Sequence, residues 1–259
     1  MRKPKNRIAL VTGASREIGI GAAIARELAR AGIDIFITYF RPYDHESGLA
    51  GQADEPQMLL HKIRGMGRRA DGLELDLSNA EAPRKLFDHV ESAFGPVRIV
   101  VNNATYSMRD GIENLNAEQL DKHYAVNIRG MALLCAEFVR RYKKNFPGGK
   151  DGRIINLSSG QSVAPMPGEL AYVATKGAVE AFTMSLSAEV GSLGITVNAV
   201  DPGITDTGWI PPELKEKWCA ESPMGRVGLP EDPARLIRFL ASDEARWITG
   251  QIIHSRGGL

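Results

Sequence analysis

The chain has 259 residues, 43% of them hydrophobic and 24% charged, a balance that supplies a sizeable core and excludes a disordered, collagen-like or coiled-coil chain. Thirty-two Lys and Arg stand against 31 Asp and Glu, a formal charge of +1. No global field draws in nucleic acid or anionic lipid, so neither is an expected partner.

Met1 to Arg7 is basic, but the apolar run behind it, Ile8 to Val11, is too short for a signal-peptide core or a membrane span. Ile8 to Thr12 reads as a buried strand, Gly21 to Arg30 as an Ala-rich helix and Ile33 to Tyr39 as a second strand. Arg41 to Gln57 is polar, contains Gly and Pro, and exceeds the few residues that usually join strand to helix, so a surface excursion is expected near 41–57. Strands follow near Gly72 to Leu75, Ile99 to Asn102, Ile154 to Ser158 and Thr196 to Val200, with a closing strand near Gln251 to His254. Helices near 54–66, 80–93, 117–145 and 171–191 alternate with them. Such alternation implies a parallel sheet, because each crossover returns over a sheet face. The expected architecture is one α/β domain over 1–259, a doubly wound Rossmann sheet with helices on both faces. The two cysteines, Cys135 and Cys219, form no CxxC pair, and His45, His61, His89, His123 and His254 lack ligand spacing. Neither a disulfide framework nor a metal site is expected, and a reducing cytoplasm is the simple compartment.

Val11 to Gly21 (VTGASREIGIG) follows a strand and opens a helix. Glycine permits a tight turn and close approach of backbone to a pyrophosphate, and the helix N-terminus favours the anion. Alone, the segment also reads as a plain turn closing a β-α unit. Further on, Asn102-Asn103-Ala104 ends the fourth strand, Asn127 lies on the next helix and Ser159 ends the fifth strand. Tyr172 and Lys176 follow, and Asp201-Pro202-Gly203 closes the sixth strand. These ordered elements resemble the short-chain dehydrogenase/reductase family along nearly the whole chain. The resemblance is nearest to its 3-oxoacyl-acyl-carrier-protein reductases, through Thr12-Gly13-Ala14-Ser15-Arg16, Gly194 to Asn198, Ser222 to Arg226 and Ile248 to Gln251. It implies a nicotinamide cofactor bound by Gly13, Ser15, Arg16, Gly19, Ile20 and Gly21 at the phosphates and by Asn103 and Ala104 at the riboses. Pro202, Gly203, Thr205 and Thr207 would meet the nicotinamide. Asp76 resembles the adenine-contacting aspartate, an exposed turn aspartate before Ser78-Asn79 being the alternative.

Three departures stand out. The glycines read best as Gly13, Gly19 and Gly21, two residues longer than the family's GxxxGxG; without that insertion Glu17 falls on a glycine position. Either way Glu17 must point away, pair with Arg16, or repel the phosphates. Thr105 replaces the last glycine of the usual NNAG, and Arg256 stands where the family has an aspartate before its final glycines. At the end of the second strand, Tyr39, Phe40 and Arg41 offer no acid for the ribose hydroxyls. Arg41 and Arg16 suit a 2′-phosphate instead, so NADPH is the favoured cofactor and NAD the alternative. The plainer reading has Arg41 solvating the excursion.

Tyr172 and Lys176 share a helix face. An ammonium about 4 Å from the phenol, at an effective dielectric of ~20, contributes up to about 4 kcal/mol and would bring the phenol close to 7. Tyr172 then exchanges a proton with the substrate oxygen. The resemblance makes Ser159 the carbonyl-polarising serine, with Ser158 the competitor, gives Lys176 a second role on the nicotinamide ribose, and has Asn127 hold a relay water. Taken alone, Asn127 would be a buried structural amide. A helical flap near 205–225, carrying Trp209 and Trp218, is expected over the substrate. The expected activity is reduction of a ketone to a secondary alcohol, the substrate being a small molecule or an acyl-carrier-bound one. Another ketone, sugar or secondary-alcohol dehydrogenase is the alternative, and a cofactor-binding sensor without turnover the rival from another class. Arg140, Arg141, Lys143 and Lys144 read as a solvated helix end or a docking patch for an acidic carrier. The family's pairing of long helices implies a homotetramer through Ala117 to Lys144 and Ala171 to Ser192.

Overall fold

The computed structural model describes residues 7–49 and 51–258; most of the basic N-terminal stretch, Met1 to Asn6, lies outside the described residues, as do Ala50 and Leu259. The chain runs β1 (Ile8–Val11), α1 (Ile20–Arg30), β2 (Asp34–Tyr39), α2 (Arg41–Glu46), α3 (Glu55–Gly65), β3 (Ala70–Glu74), α4 (Ala82–Ala93) and β4 (Ile99–Asn102). It continues through α5 (Ala117–Tyr124), α6 (Met131–Asn145), β5 (Gly152–Leu157), α7 (Leu170–Val190), β6 (Ile195–Asp201), α8 (Pro212–Glu221), α9 (Glu231–Leu240) and β7 (Ile252–His254).

The strands form one parallel sheet in the order β3-β2-β1-β4-β5-β6-β7. Alternate residues of each strand face opposite layers. Ala9 and Val11 of β1 pack with α1, α3 and α9, whereas Ile8 and Leu10 pack with α4, α6 and α7. Both faces are therefore covered, which is why β1, β2 and β5 read as nearly continuous apolar runs. The order reverses between β1 and β4, and a crevice opens there beyond the carboxyl ends of the strands. Thr12, Phe40, Asn103, Ser158 and Pro202 all follow strand ends on that side.

Two elements differ from expectation. The 41–57 excursion is not a plain surface loop: it contains α2 and the start of α3, and Asp44 within it is buried. The expected helix over 117–145 is interrupted by a π-turn at Ala125–Gly130 between α5 and α6. The wider turn carries Asn127, whose buried side chain clamps the chain after β4: Tyr106 N donates to Oδ1 at 2.7 Å and Nδ2 donates to Tyr106 O at 2.9 Å. Single π-turns within α-helices recur at functional sites.

Candidate active site

The glycine segment is shaped by contacts with β4's end. Gly13 has φ 73°, and a Cβ there would lie 2.6 Å from Ala104 Cα, so only glycine fits. A Cβ on Gly21 would lie 2.5 Å from Gly13 O, so this second glycine brings α1 against the turn. Asn103 bolts the two segments together, its Nδ2 donating to Thr12 O and Gly13 O at 2.9 and 2.8 Å, while Ala104 N donates to Thr12 Oγ1. Gly19 is the N-cap of α1 and supplies no side-chain cap. Ile20 opens the helix, and the first amides stay free of a capping side chain, as an anion site requires. The residues present thus fit a dinucleotide's phosphates. Glu17 neither pairs with Arg16 nor faces the crevice's phosphate side; its carboxylate takes Lys62 Nζ at 2.6 Å. Thr105, in place of glycine, donates its hydroxyl to Asn127 Oδ1 at 3.1 Å and so tightens this turn.

Beyond β2 the expectation of a site without an acid is corrected. Asp44 is 5% exposed, hydrogen-bonds Ser15 and lies in the field of Arg16 and Arg41. Burial pushes its carboxyl above the ordinary value, against the Ser15 hydrogen bond and the two guanidinium groups, while Glu55 pushes in the same direction as burial. Ser15 Oγ also accepts Phe40 N at 3.4 Å. Arg41 is folded in rather than solvating a loop: Nη2 donates to Gly51 O at 3.0 Å and Nη1 lies 3.9 Å from Asp44 Oδ2. Tyr43, next in α2, donates to Ser107 O and accepts Ser107 N, both at 3.1 Å, which ties the excursion to the segment after β4. Asp76 realises the turn reading, Ser78 N and Oγ both reaching its carboxylate at 2.8 Å.

At the chemical end, Ser159 and Tyr172 hydrogen-bond through their hydroxyls. Ser158 is settled as the structural serine, buried and donating to Glu180 Oε1 at 2.6 Å. Lys176 is 4% exposed; its Nζ donates to Leu157 O at 2.8 Å and lies 5.5 Å from the Tyr172 ring centre. The expected ammonium-lowered phenol is overturned for the cofactor-free chain. Burial pushes the Tyr172 hydroxyl well above 10, Ser159 opposing and Glu169 adding to the rise, while burial brings Lys176 down to about 8. Desolvation outweighs the Coulomb attraction because the lysine is turned to a backbone carbonyl, not to the phenol oxygen. Asn127's side chain is fully engaged, since Nδ2 also donates to Thr175 Oγ1 at 3.0 Å, and Thr175 in turn donates to Tyr172 O at 2.8 Å. Any relay water at Asn127 must therefore sit on its backbone carbonyl. The helix carrying the pair has no local side-chain cap; Asp110 supplies one from far along the chain, accepting Leu170 N and Ala171 N at 2.5 and 2.8 Å.

Residues 13–259 match the sequence family described as Enoyl-(Acyl carrier protein) reductase. Among curated relatives, "Uncharacterized oxidoreductase YjdA" of Bacillus subtilis (strain 168) is 49% identical over 258 residues, 100% of this chain and 98% of that protein. The "NADPH-dependent aldehyde reductase-like protein, chloroplastic" of Arabidopsis thaliana is 39% identical, covering 97% of this chain and 93% of its own. The 3-oxoacyl-acyl-carrier-protein reductase FabG of Staphylococcus aureus (strain N315) is 34% identical over 97% of both. A solved short-chain dehydrogenase from Burkholderia cenocepacia J2315, in complex with NADP, superposes with a TM-score of 0.85 at 33% identity, over 98% of this chain and 97% of that one. The chain is a short-chain dehydrogenase/reductase.

Several features distinguish this short-chain dehydrogenase/reductase. Arg256, where the family carries an aspartate, donates to Asp201 Oδ2 at 3.0 Å, and His254 Nδ1 lies 2.9 Å from the same oxygen. Asp201 Oδ1 accepts Gly203 N, so β6, β7 and the Pro202-Gly203 turn are locked through one buried carboxylate. Thr205 is buried and donates to Pro202 O at 3.0 Å, while Thr207 O accepts Arg16 Nη1 at 2.8 Å and links the flap to the glycine segment. Trp209 and Trp218 pack on each other at 5.8 Å, a packing role. The docking-patch reading loses its two arginines. Arg141 is held by Glu137, Glu91 and Asp88 at 2.6, 2.8 and 2.6 Å, and Arg140 by Glu137 at 2.7 Å. Among the described residues no three His, Cys, Asp or Glu are grouped to hold a metal, and no helix is long and apolar enough to cross a membrane.

Sequence reasoning missed Asp44, Asp110 and Thr175. Asp44 sits inside a stretch whose polarity signalled a loop, and Asp110 acts on a helix 60 residues away; no local pattern marks either.

Proposed function

We propose that this chain reduces a ketone to a secondary alcohol, with NADPH as preferred cofactor and NAD as the alternative. The observation that carries the reading is the Tyr172 hydroxyl bonded to Ser159, with Lys176 one helical turn beyond. When bound, the reduced nicotinamide supplies a hydride to the carbonyl carbon. Ser159 donates a hydrogen bond to the carbonyl oxygen and polarises it. Tyr172, kept protonated by burial, gives its proton to that oxygen as negative charge develops. Lys176 then faces the phenolate and stabilises it, and a water on the Asn127 carbonyl restores the proton. A phenol raised above its ordinary value favours the acid role, and therefore reduction over oxidation, at neutral pH. Gly13, Ser15, Arg16, Gly19, Ile20, Gly21 and Arg41 would hold the phosphates, Asp76, Asn103 and Ala104 the adenosine half and nearby ribose, and Pro202, Gly203, Thr205 and Thr207 the carboxamide end.

We take the substrate to be a small carbonyl compound in preference to a carrier-bound one, because the arginines of the candidate docking patch are neutralised by neighbouring carboxylates. We assign the chain to a single domain, to the cytoplasm and to a homotetramer. Ala174, Ala178, Ala181 and Ser185 are all exposed along α7, which suits close helix packing between copies. The test is loss of reduced-nicotinamide absorbance with a panel of ketones, aldehydes, sugars and β-keto esters, free and carrier-bound, using both cofactors. Stable absorbance with every carbonyl and either cofactor would leave the sensor reading in its place.

A further inference from the structure

The excursion after β2 places opposite charges in one small pocket beside the glycine segment. Asp44 Oδ2 and Arg41 Nη1 are both buried, and neither has a hydrogen-bond partner among the described residues. They lie 3.9 Å apart, beyond hydrogen-bond range. Two buried, oppositely charged groups that stop short of each other are costly unless a third group satisfies them. Ser15, which bonds Asp44, and Arg16 complete the wall, and the pocket stands at the end of β2, where a Rossmann fold meets the adenosine ribose.

From this geometry we infer that Asp44 is the residue that discriminates between the two nicotinamide cofactors, holding a ribose 2′-hydroxyl and opposing a 2′-phosphate. The pocket contains both answers at once. A hydroxyl donor satisfies Asp44 Oδ2, whereas a phosphate satisfies Arg41 and Arg16 but meets the Asp44 carboxylate at close range. The upward push that burial gives the Asp44 carboxyl fits a carboxylate short of donors. Asp44 does not stand at the strand end; α2 returns it to the pocket from five residues beyond Tyr39. The inference rests on reading this crevice as the cofactor site, and it is independent of the substrate.

The test is equilibrium binding without substrate. Dissociation constants for NADPH, NADH, adenosine 2′,5′-bisphosphate and 5′-AMP are measured by fluorescence or calorimetry on the full chain and on Asp44→Asn, which keeps the side chain's shape and removes its charge. Asp44→Asn is expected to tighten both 2′-phosphorylated ligands about tenfold or more and to weaken the plain ones by a similar factor. Arg41→Ala is the reciprocal variant, expected to weaken only the 2′-phosphorylated pair. Equal shifts for all four ligands, or none in a variant that unfolds like the parent, overturn the role. Asp44→Ala serves if Asp44→Asn does not fold, and must shift the ratio in the same direction. A parent that prefers NADH refutes the proposed NADPH preference, yet opposite shifts on Asp44→Asn still uphold the discriminator. A parent that binds none of the four ligands refutes both.

Discussion

Replacing Lys176 by Met separates the chemistry of this site from its folding cost. Burial brings the Lys176 ammonium from 10.5 down to about 8. For a base whose folded value is depressed, the destabilisation is fully present below the folded value and disappears as pH rises through the unfolded one. The interval between 10.5 and about 8 corresponds to about 3 kcal/mol at pH 7 and about 1.4 kcal/mol at pH 9.5. The parent should therefore gain about 2 kcal/mol over that range relative to a variant lacking the group. Met fills similar space, but it leaves Leu157 O without the donor now at 2.8 Å, a loss of about 1 to 3 kcal/mol. That loss is common to both pH values. Lys176→Met is thus expected to be as stable as the parent, or up to about 2 kcal/mol more stable, at pH 7, with the difference shrinking by about 2 kcal/mol at pH 9.5. Urea denaturation of both chains at one protein concentration measures this, and turnover of the variant should fall at least about 10²-fold. Parallel stability profiles across the interval would show that Lys176 is not neutralised near 8, and the desolvation argument for the pair would fail.

Tyr172→Phe should keep cofactor binding and lose about 10²- to 10⁴-fold in turnover; near-normal turnover in a folded variant removes Tyr172 from the acid role. Ser159→Ala should lower turnover by about 10²-fold or more, whereas Ser158→Ala should act on stability through the Glu180 contact, by about 1 to 3 kcal/mol, with turnover near normal. A reversed pattern would exchange the two serines. Asp110→Ala should cost about 0.5 to 2 kcal/mol in denaturation, as expected for a lost helix cap; an unchanged midpoint would mean that α7 finds another cap. Light scattering should give the mass of four chains, and the mass of one chain across micromolar concentrations would refute the tetramer.

The sheet was legible because its strands are buried on both faces, and continuous apolar runs between Gly-rich turns leave little ambiguity about period. The chemical residues were legible for a related reason. Tyr172 and Lys176 are four apart on a helix and Ser159 ends a strand, so local geometry alone brings them to the same end of the sheet. Asn127 was legible by position but not by role, because the amide's partners, Tyr106 and Thr175, come from two other segments.

Composition, periodicity and motif order by themselves determined that this is a doubly wound α/β chain with a phosphate-binding turn at one end of the sheet and a Ser-Tyr-Lys group beside it. They did so because turn chemistry and helix spacing are short-range properties. The protonation of Tyr172 and Lys176, the acid in the ribose pocket, the remote cap on α7 and the pairing of Arg141 and Arg256 were decided only by tertiary structure. Desolvation and charge pairing depend on groups up to 60 residues distant or more, and their sign follows from which atoms face each other after packing. Arg141 shows the difference: four nearby basic residues suggest a patch in the sequence, and three carboxylates from two helices neutralise the central one in the fold.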